Sequence, residues 1–194
     1  MLESEYQRRR VLPYHLRKPV EPERPFSFVI RDARVADLPE VREIYNYYVA
    51  NSSVTFDSDA MTLGEWQHKY GVLQKFRMPF IVAEAPTGQI LGYALASPIH
   101  ERRAARVIGE NSIYLGPAAT GKGLGRALMA ALVEKARALG MRELIAIIAD
   151  KNAEGSLKLH ADFGFVETGR MGKVGFKFGR HLGSIMMQKS LKKR

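Results

Sequence analysis

The feature that most constrains this chain is a glycine-rich turn between a predicted strand and a predicted helix. Residues 110–115, ENSIYL, have the composition of a strand, and Gly121, Gly123 and Gly125 precede an amphipathic helical stretch that ends at Gly140. The first N–H groups of a helix have no partner within it and lie at the positive end of its dipole. Glycine lets an anion approach such a backbone closely. The turn is therefore either an ordinary strand-to-helix connection or an anion site.

Two common phosphate-binding motifs do not fit this turn. The sequence has no match to G-x-x-x-x-G-K-[ST], the loop of nucleoside triphosphatases. It also fails G-x-G-x-x-G, the dinucleotide-binding pattern, because the glycine that follows Gly123 comes too early. Lys122 and Arg126 add positive charge next to the glycines. If this turn binds phosphate, we expect a ligand of another kind.

Hydrophobic periodicity predicts one mixed α/β domain of the α+β type, with the element order β-α-α-β-β-β-α-β-α-β-β. Asp37 and Glu40 have the spacing of a capping box before the first helix. Residues 86–88, Pro-Thr-Gly, indicate the turn of a hairpin, and the nearly continuous apolar run of residues 142–149 predicts a strand buried on both faces. We expect a central mixed sheet of about six to seven strands flanked by about four helices.

Composition divides the chain into three parts. Residues 1–25 are charged and rich in proline, and we expect an extended or partly disordered extension without the apolar stretch of a signal peptide. Residues 26–191 form the predicted domain, and residues 192–194 are a basic tail. Because no apolar run reaches about 18 residues, we expect no membrane span and a cytoplasmic protein.

Charge and cysteine content limit the chemistry. The chain of 194 residues has no cysteine, which excludes disulfides, thiolate metal sites and a cysteine nucleophile. Its net charge is +10, and no acidic residue follows Glu167. This basic end suits either an anionic partner or simply a solvated surface. The sequence has no helix-turn-helix, RNA-recognition or zinc pattern, so we do not expect nucleic-acid binding.

Four blocks of the sequence, in the expected order, resemble the GCN5-related N-acetyltransferase (GNAT) superfamily. The resemblance covers about residues 28–191 and is closest to the branch of phosphinothricin and methionine sulfone or sulfoximine acetyltransferases. The blocks are IRDARVADLPEVREIYNYYVANSSVTFD, GENSIYLGPAATGKGLGRALMAALVEKARALG, IADKNAEGSLKLHADFGFVETG and VGFKFGRHLGSIMMQ. The resemblance implies a single GNAT-like domain and, as in many members, a homodimer.

The resemblance also implies acetyl-CoA as cosubstrate, with its pyrophosphate at the glycine turn. The family pattern Q/R-x-x-G-x-G/A falls on residues 120–125, where Thr120 replaces the usual Gln or Arg. For Asn152 the alternative is a helix N-cap. The implied cofactor-binding residues are Ile113, Tyr114, Leu115, Gly121, Lys122, Gly123, Leu124, Gly125, Arg126, Asn152 and Ser156.

Glu110 is the candidate general base. An amine must be neutral to attack a thioester, and alkylammonium groups are mostly protonated near pH 7. A carboxylate that contacts the nitrogen, directly or through one water, can take that proton. Strand alternation places Glu110, Ser112 and Tyr114 on one face, opposite Ile113 and Leu115. The alternative is a carboxylate in a surface ion pair.

His160 is the candidate acid that protonates the leaving thiolate, because the resembling branch carries a histidine at this place and imidazole can give a proton. The alternatives are a histidine that only packs or contacts CoA, and Tyr114 as the acid. The candidate substrate-binding residues are Phe56, Arg102 and Arg106. The arginines are suited to binding a carboxylate, or else belong to a solvated loop.

We expect no metal site, because the remaining histidines show no paired ligand spacing. They are His15, His68, His100 and His181. The leading hypothesis is N-acetylation of a small amino acid or analogue by direct attack in a ternary complex. The basic loop that carries Arg102 and Arg106 disfavours cationic polyamines and aminoglycosides as acceptors. A protein or peptide N-terminal acetyltransferase and a non-catalytic acyl-CoA-binding module are the alternatives.

Overall fold

The computed structural model describes residues 26–100 and 107–192. Over these residues it has the predicted order of seven strands and four helices. The elements are β1 Val29–Asp32, α1 Leu38–Asn51, α2 Leu63–Phe76, β2 Phe80–Glu84, β3 Ile90–Pro98, β4 Ile108–Leu115, α3 Leu124–Ala138, β5 Glu143–Ala149, α4 Glu154–Asp162, β6 Val166–Lys177 and β7 Arg180–Ser190.

The strands form one mixed sheet in the order β1-β2-β3-β4-β5-β7-β6. Neighbours are antiparallel, apart from β4 and β5, which are parallel and connected through α3. The parallel pairing joins Ile108–Glu110 to Glu143–Ile145. Beyond Glu110 the two strands diverge, so the sheet opens at its centre next to that residue.

Helices cover both faces of the sheet. On one face, Trp66 of α2 packs with Phe80 and Tyr93 of β2 and β3. On the other face, Leu128 of α3 belongs to the same cluster as Ile81, the neighbour of Phe80 in β2. The alternation along β2 thus separates the two helical layers. No helix in the described part of the chain is long and apolar enough to cross a membrane.

Asp37 is the N-cap of α1, as the sequence predicts, but Asp37 and Glu40 do not form a capping box, because their carboxylates bind other groups. The Asp37 carboxylate accepts hydrogen bonds from the Arg31 guanidinium at 2.7 and 2.8 Å and from the Arg34 N–H at 2.7 Å. Glu40 accepts from the Ile90 N–H at 2.9 Å, which ties α1 to β3. Arg31 also lowers the pKa of Asp37 against the opposing effect of burial.

Strand β6 is longer than the sequence predicts. The predicted strand covers residues 165–170, whereas β6 continues to Lys177 after an irregularity between Met171 and Gly175. A tight turn with positive φ at Phe178 and Gly179, 50° and 72°, then joins it to β7. The extension brings Lys177 to the segment that follows α1.

Candidate active site

The opening between β4 and β5 contains two cavities that meet at Glu110. The larger one, here called the glycine cleft, has a volume of about 700 Å³ and extends from the turn around Gly121 to β4. The smaller one, here called the inner cavity, has a volume of about 250 Å³ and lies between β4 and residues 54–57. Glu110, Ser112 and Tyr114 line both. Ligands in the two cavities would therefore meet beside one carboxylate.

The glycine turn offers open backbone at the end of the cleft. Gly121 and Gly123 have φ of 72° and 80°, a region that glycine adopts without strain, and a Cβ at either position would meet no atom within 4 Å. Gly123 is the N-cap of α3. A Cβ at Gly125 would lie 3.6 Å from Leu159 of α4, an ordinary contact distance, so packing does not require glycine there. All three glycines line the cleft.

The side chains of this turn contribute less than the sequence suggests. The Lys122 ammonium lies over the Phe26 ring, 4.9 Å from its centroid, and the Leu124 side chain is buried in the core. Arg126 lines the cleft, but its guanidinium forms an ion pair with Asp162 at 2.5 Å. The hydroxyl of Thr120 donates to the Pro117 carbonyl at 2.9 Å. The turn is mainly a backbone site.

The predicted alternation along β4 is present. Its pairing with β3 runs without a register shift from Gly92 opposite Leu115 to Pro98 opposite Gly109. Glu110, Ser112 and Tyr114 line the inner cavity, while Ile113 and Leu115 line the glycine cleft and pack toward α3. One strand therefore contributes to both cavities with its two faces.

The Glu110 carboxyl lies in a partly dehydrated position. Burial raises its pKa above the ordinary value, and the nearby Lys69 ammonium opposes this shift. Within residues 26–100 and 107–192 the carboxylate forms no hydrogen bond or ion pair. The surface ion pair considered from the sequence is therefore not found in the described part of the chain. A carboxylate with a raised pKa and access to two cavities is suited to accept a proton.

His160 is a buried, neutral imidazole with both ring nitrogens engaged. Its Nδ1–H donates to the Ser156 carbonyl at 2.7 Å, and its Nε2 accepts from the Asn111 amide at 2.9 Å. Burial lowers the pKa of His160, against the effect of the Ser156 carbonyl. The Oδ1 of Asn111 is buried without a partner among the described residues. Asn111 lines the glycine cleft, but this oxygen itself is covered by protein atoms.

Asn152 and Ser156 line the glycine cleft at the start of α4. The N-cap of α4 is Ala153, so the alternative interpretation of Asn152 as an N-cap is wrong. Asn152 instead has a φ of 56° and donates from its amide to the Ser53 hydroxyl at 3.3 Å. This contact joins α4 to the segment after α1.

The inner cavity has an aromatic wall that carries polar groups. The Tyr114 ring packs edge-on against Tyr45, with centroids 5.2 Å apart, and stacks on Tyr93 at 5.6 Å. The Tyr45 hydroxyl donates to the Asp57 carboxylate. Burial raises the pKa of Tyr114 to about 12, so its hydroxyl keeps its proton at neutral pH. Phe56 also lines this cavity, as its predicted role requires.

Lys177 holds the segment that supplies Phe56. Its buried ammonium donates to the carbonyls of Ser52 and Thr55 at 2.9 and 3.0 Å. Gly175 lies against the Phe56 ring, since a Cβ there would be only 3.2 Å from it. The end of β6 therefore fixes both the backbone and the aromatic side chain of this segment.

Two charged residues of the inner cavity, Lys69 and Asp57, were missed by sequence reasoning. Lys69 lies one helical turn after Trp66, which is fully buried, and that spacing was the available signal. Arg102 and Arg106, predicted to bind substrate, lie outside the described residues. Among the residues that the structure describes, no three His, Cys, Asp or Glu side chains come together to hold a metal.

Comparisons with known proteins agree with this arrangement. Phosphinothricin N-acetyltransferase of Alcaligenes faecalis is 36% identical over 162 residues, which cover 84% of this chain and 82% of that protein. An L-methionine sulfoximine/L-methionine sulfone acetyltransferase of Pseudomonas aeruginosa is 38% identical over 165 residues, 85% of this chain and 95% of the relative.

A solved structure and a family sequence model lead to the same assignment. The crystal structure of a GNAT superfamily phosphinothricin acetyltransferase from Sinorhizobium meliloti, in complex with acetyl-CoA, superposes with a TM-score of 0.80 at 38% identity. The superposition covers 85% of this chain and 89% of that one. The sequence model of the acetyltransferase (GNAT) family matches residues 41–165. The chain therefore belongs to the GNAT family of acetyltransferases.

Proposed function

We propose that this protein is an acetyl-CoA-dependent N-acetyltransferase that acetylates the primary amine of a small amino acid or analogue. Phosphinothricin, methionine sulfone and methionine sulfoximine are the proposed substrate type, because relatives at 36% and 38% identity are named for them. The observation that carries the proposal is the position of Glu110 where the glycine cleft meets the inner cavity. Such a position lets one carboxylate serve an amine and a thioester held at the same time.

The residues of the glycine cleft fit acetyl-CoA. Beyond Glu110, β4 diverges from β5 and leaves room for an extended ligand with amide groups beside Ile113 and Leu115. Gly123 and the N-terminus of α3 suit its phosphates. Binding by this turn would rest on backbone N–H groups rather than on the Lys122 ammonium.

Acetyl-CoA would supply an acetyl group activated as a thioester. Glu110 takes one proton from the acceptor ammonium, so that the neutral amine can form the new N–C bond as the C–S bond breaks. The second proton leaves the nitrogen as the amide forms and replaces the proton that the acid gives to the sulfur, so that one proton ends on Glu110 and one on the thiol. Since both cavities reach Glu110, a thioester and an amine held in them could react directly, and no acylated side chain is required.

The contacts of the two candidate acids favour Tyr114 over His160. In its neutral form His160 has an Nε2 that accepts from Asn111, so this nitrogen has no proton to give. Tyr114 lines both cavities, and its raised pKa, about 12, keeps its hydroxyl protonated. We infer that His160 positions Asn111 on the wall of the glycine cleft, while the Tyr114 hydroxyl supplies the proton for the sulfur.

Initial rates with acetyl-CoA and a panel of amines test the proposed function. We expect saturable thiol release with methionine sulfone, methionine sulfoximine or phosphinothricin. The product should be about 42 Da heavier than the starting amine, which is the mass that one acetyl group adds. Initial-rate patterns that intersect would indicate a ternary complex. Absence of turnover with every amine of a broad panel would overturn the proposal, and turnover limited to peptide N-termini would replace the substrate class.

Gly123→Asp should weaken acetyl-CoA binding selectively. A carboxylate at the N-cap of α3 repels phosphate, and we expect the KM for acetyl-CoA to rise at least about tenfold while that for the amine changes little. Gly123→Ala is the matched control, because it has the same left-handed φ of 80° without the charge. Equal KM values for the two variants in initial-rate assays would contradict phosphate binding at this turn.

A further inference from the structure

The inner cavity presents an ammonium and a carboxylate that do not neutralise each other. Lys69 on α2 and Glu110 on β4 both line it, and no ion pair joins them over the described part of the chain. We propose that Lys69 binds the carboxylate of the acceptor amino acid and so selects amino acids over simple amines. This inference rests on the proposed function and adds to it the residue that recognises the acid group.

The Lys69 ammonium is held in place but has no hydrogen-bond acceptor among the described residues. Its ammonium is half-buried and lies 5.2 Å from the centroid of the Trp66 ring, which is fixed in the core. Within the described ranges the ammonium makes no hydrogen bond, and only more distant charges on Glu110 and Asp57 offset its loss of water. A carboxylate entering the cavity would supply the missing acceptor, and a charge-assisted bond of this kind is stronger than a neutral one.

The other charges of the cavity match this assignment. The Asp57 carboxylate already accepts a hydrogen bond from the Tyr45 hydroxyl, which partly offsets its charge. The Glu110 carboxylate lies at the junction with the glycine cleft, where the reacting nitrogen must be. Lys69 lines the inner cavity and is absent from the wall of the glycine cleft over the described residues. An amino acid zwitterion therefore fits with its amine at Glu110 and its carboxylate at Lys69.

This recognition distinguishes between classes of amine. A peptide N-terminus carries an amide where an amino acid carries its carboxylate, and a polyamine would bring a second cation toward the ammonium. The volume of about 250 Å³ is also below the usual range for drug-sized ligands. The cavity thus favours a small molecule with one amine beside one anionic group.

The experiment compares methionine sulfone with 3-(methylsulfonyl)propylamine, which is the same molecule without its carboxylate. We expect Lys69→Met to lower kcat/KM for methionine sulfone roughly 10- to 100-fold, mainly through KM, and to change that for the amine little. Lys69→Arg should restore part of the loss, since it keeps the charge. Lys75→Met, which removes an exposed ammonium from the same helix, is the control.

The ratio of the two kcat/KM values separates the possible results. If Lys69→Met leaves this ratio unchanged, the inference is overturned. An equal loss of kcat/KM for both substrates is one such result, and it would mean that Lys69 acts through the pKa of Glu110. A wild-type enzyme that acetylates the two substrates equally overturns it as well, while N-acetyltransfer stands. If wild-type protein acetylates neither these substrates nor any other amine, the proposed function fails and this inference with it.

Discussion

Glu110→Gln should lower kcat/KM for amine acetylation by roughly 10²- to 10⁴-fold, the usual contribution of a general base. The amide keeps the size and position of the carboxyl but cannot accept the ammonium proton. The glycine turn and the rest of the glycine cleft are unchanged in this variant, so binding of acetyl-CoA should be largely retained. Glu134→Gln, at an exposed position on α3, is the matched control and should leave kcat/KM unchanged. Steady-state kinetics with calorimetric binding of CoA will separate the two effects.

The pH dependence gives a second signature of the same residue. Burial raises the pKa of Glu110 above its usual range, so its carboxylate form is lost at a higher pH than for an exposed glutamate. We therefore expect kcat/KM to rise with pH through that raised pKa, and we expect Glu110→Gln to lose this limb. A wild-type limb that persists in the variant would show that another group accepts the proton.

Stability provides the check that the variant is folded. Because the folded-state pKa of Glu110 is raised, its ionisation opposes folding, and this cost grows as pH rises through and above the unfolded-state value. Glu110→Gln removes the cost and should unfold at the same or a higher denaturant concentration at neutral pH. A fall in activity together with a fall in stability would instead indicate a damaged fold.

Periodic patterns made the fold and one strand of the site predictable. The amphipathic spacing of α3, the apolar run of β5 and the turn glycines are local properties, and they define the order of elements without knowledge of the tertiary structure. Along β4 the period of two residues also assigns Glu110 and Tyr114 to one face, because no bulge interrupts its pairing with β3. These features depend on neighbours in sequence.

Contacts between distant segments were not predictable in the same way. Lys69 has the appearance of a solvated helix residue, and only the packing of α2 over β3 brings it to the inner cavity. Glu40 has the spacing of a capping residue, yet it accepts from Ile90, 50 positions away. Local patterns do not encode which distant backbone group a polar side chain will satisfy. The residues of the inner cavity, where we propose that the amine binds, were therefore predicted less well than those of the glycine cleft.

Lys177→Met should lower the free energy of unfolding by about 3 kcal/mol, since the part-buried carbonyl of Ser52 and the buried carbonyl of Thr55 lose hydrogen bonds to a charged donor. Methionine preserves much of the apolar length of the side chain, so the loss reports on the ammonium. Lys173→Met, at an exposed position of the same strand, is the control and should change stability by less than about 0.5 kcal/mol. Urea unfolding followed by circular dichroism measures both.

Lys177→Met should also change the KM for the amine more than the KM for acetyl-CoA. Lys177 fixes the carbonyls of Ser52 and Thr55, and the segment between them and Asp57 forms a wall of the inner cavity. Once that segment loosens, Phe56 and Asp57 are no longer held beside Glu110, whereas the turn at Gly123 lies outside the affected contacts. We expect the KM for the amine to rise while that for acetyl-CoA stays within about twofold. Equal changes in both would mean that Lys177 stabilises the whole domain without positioning the acceptor side.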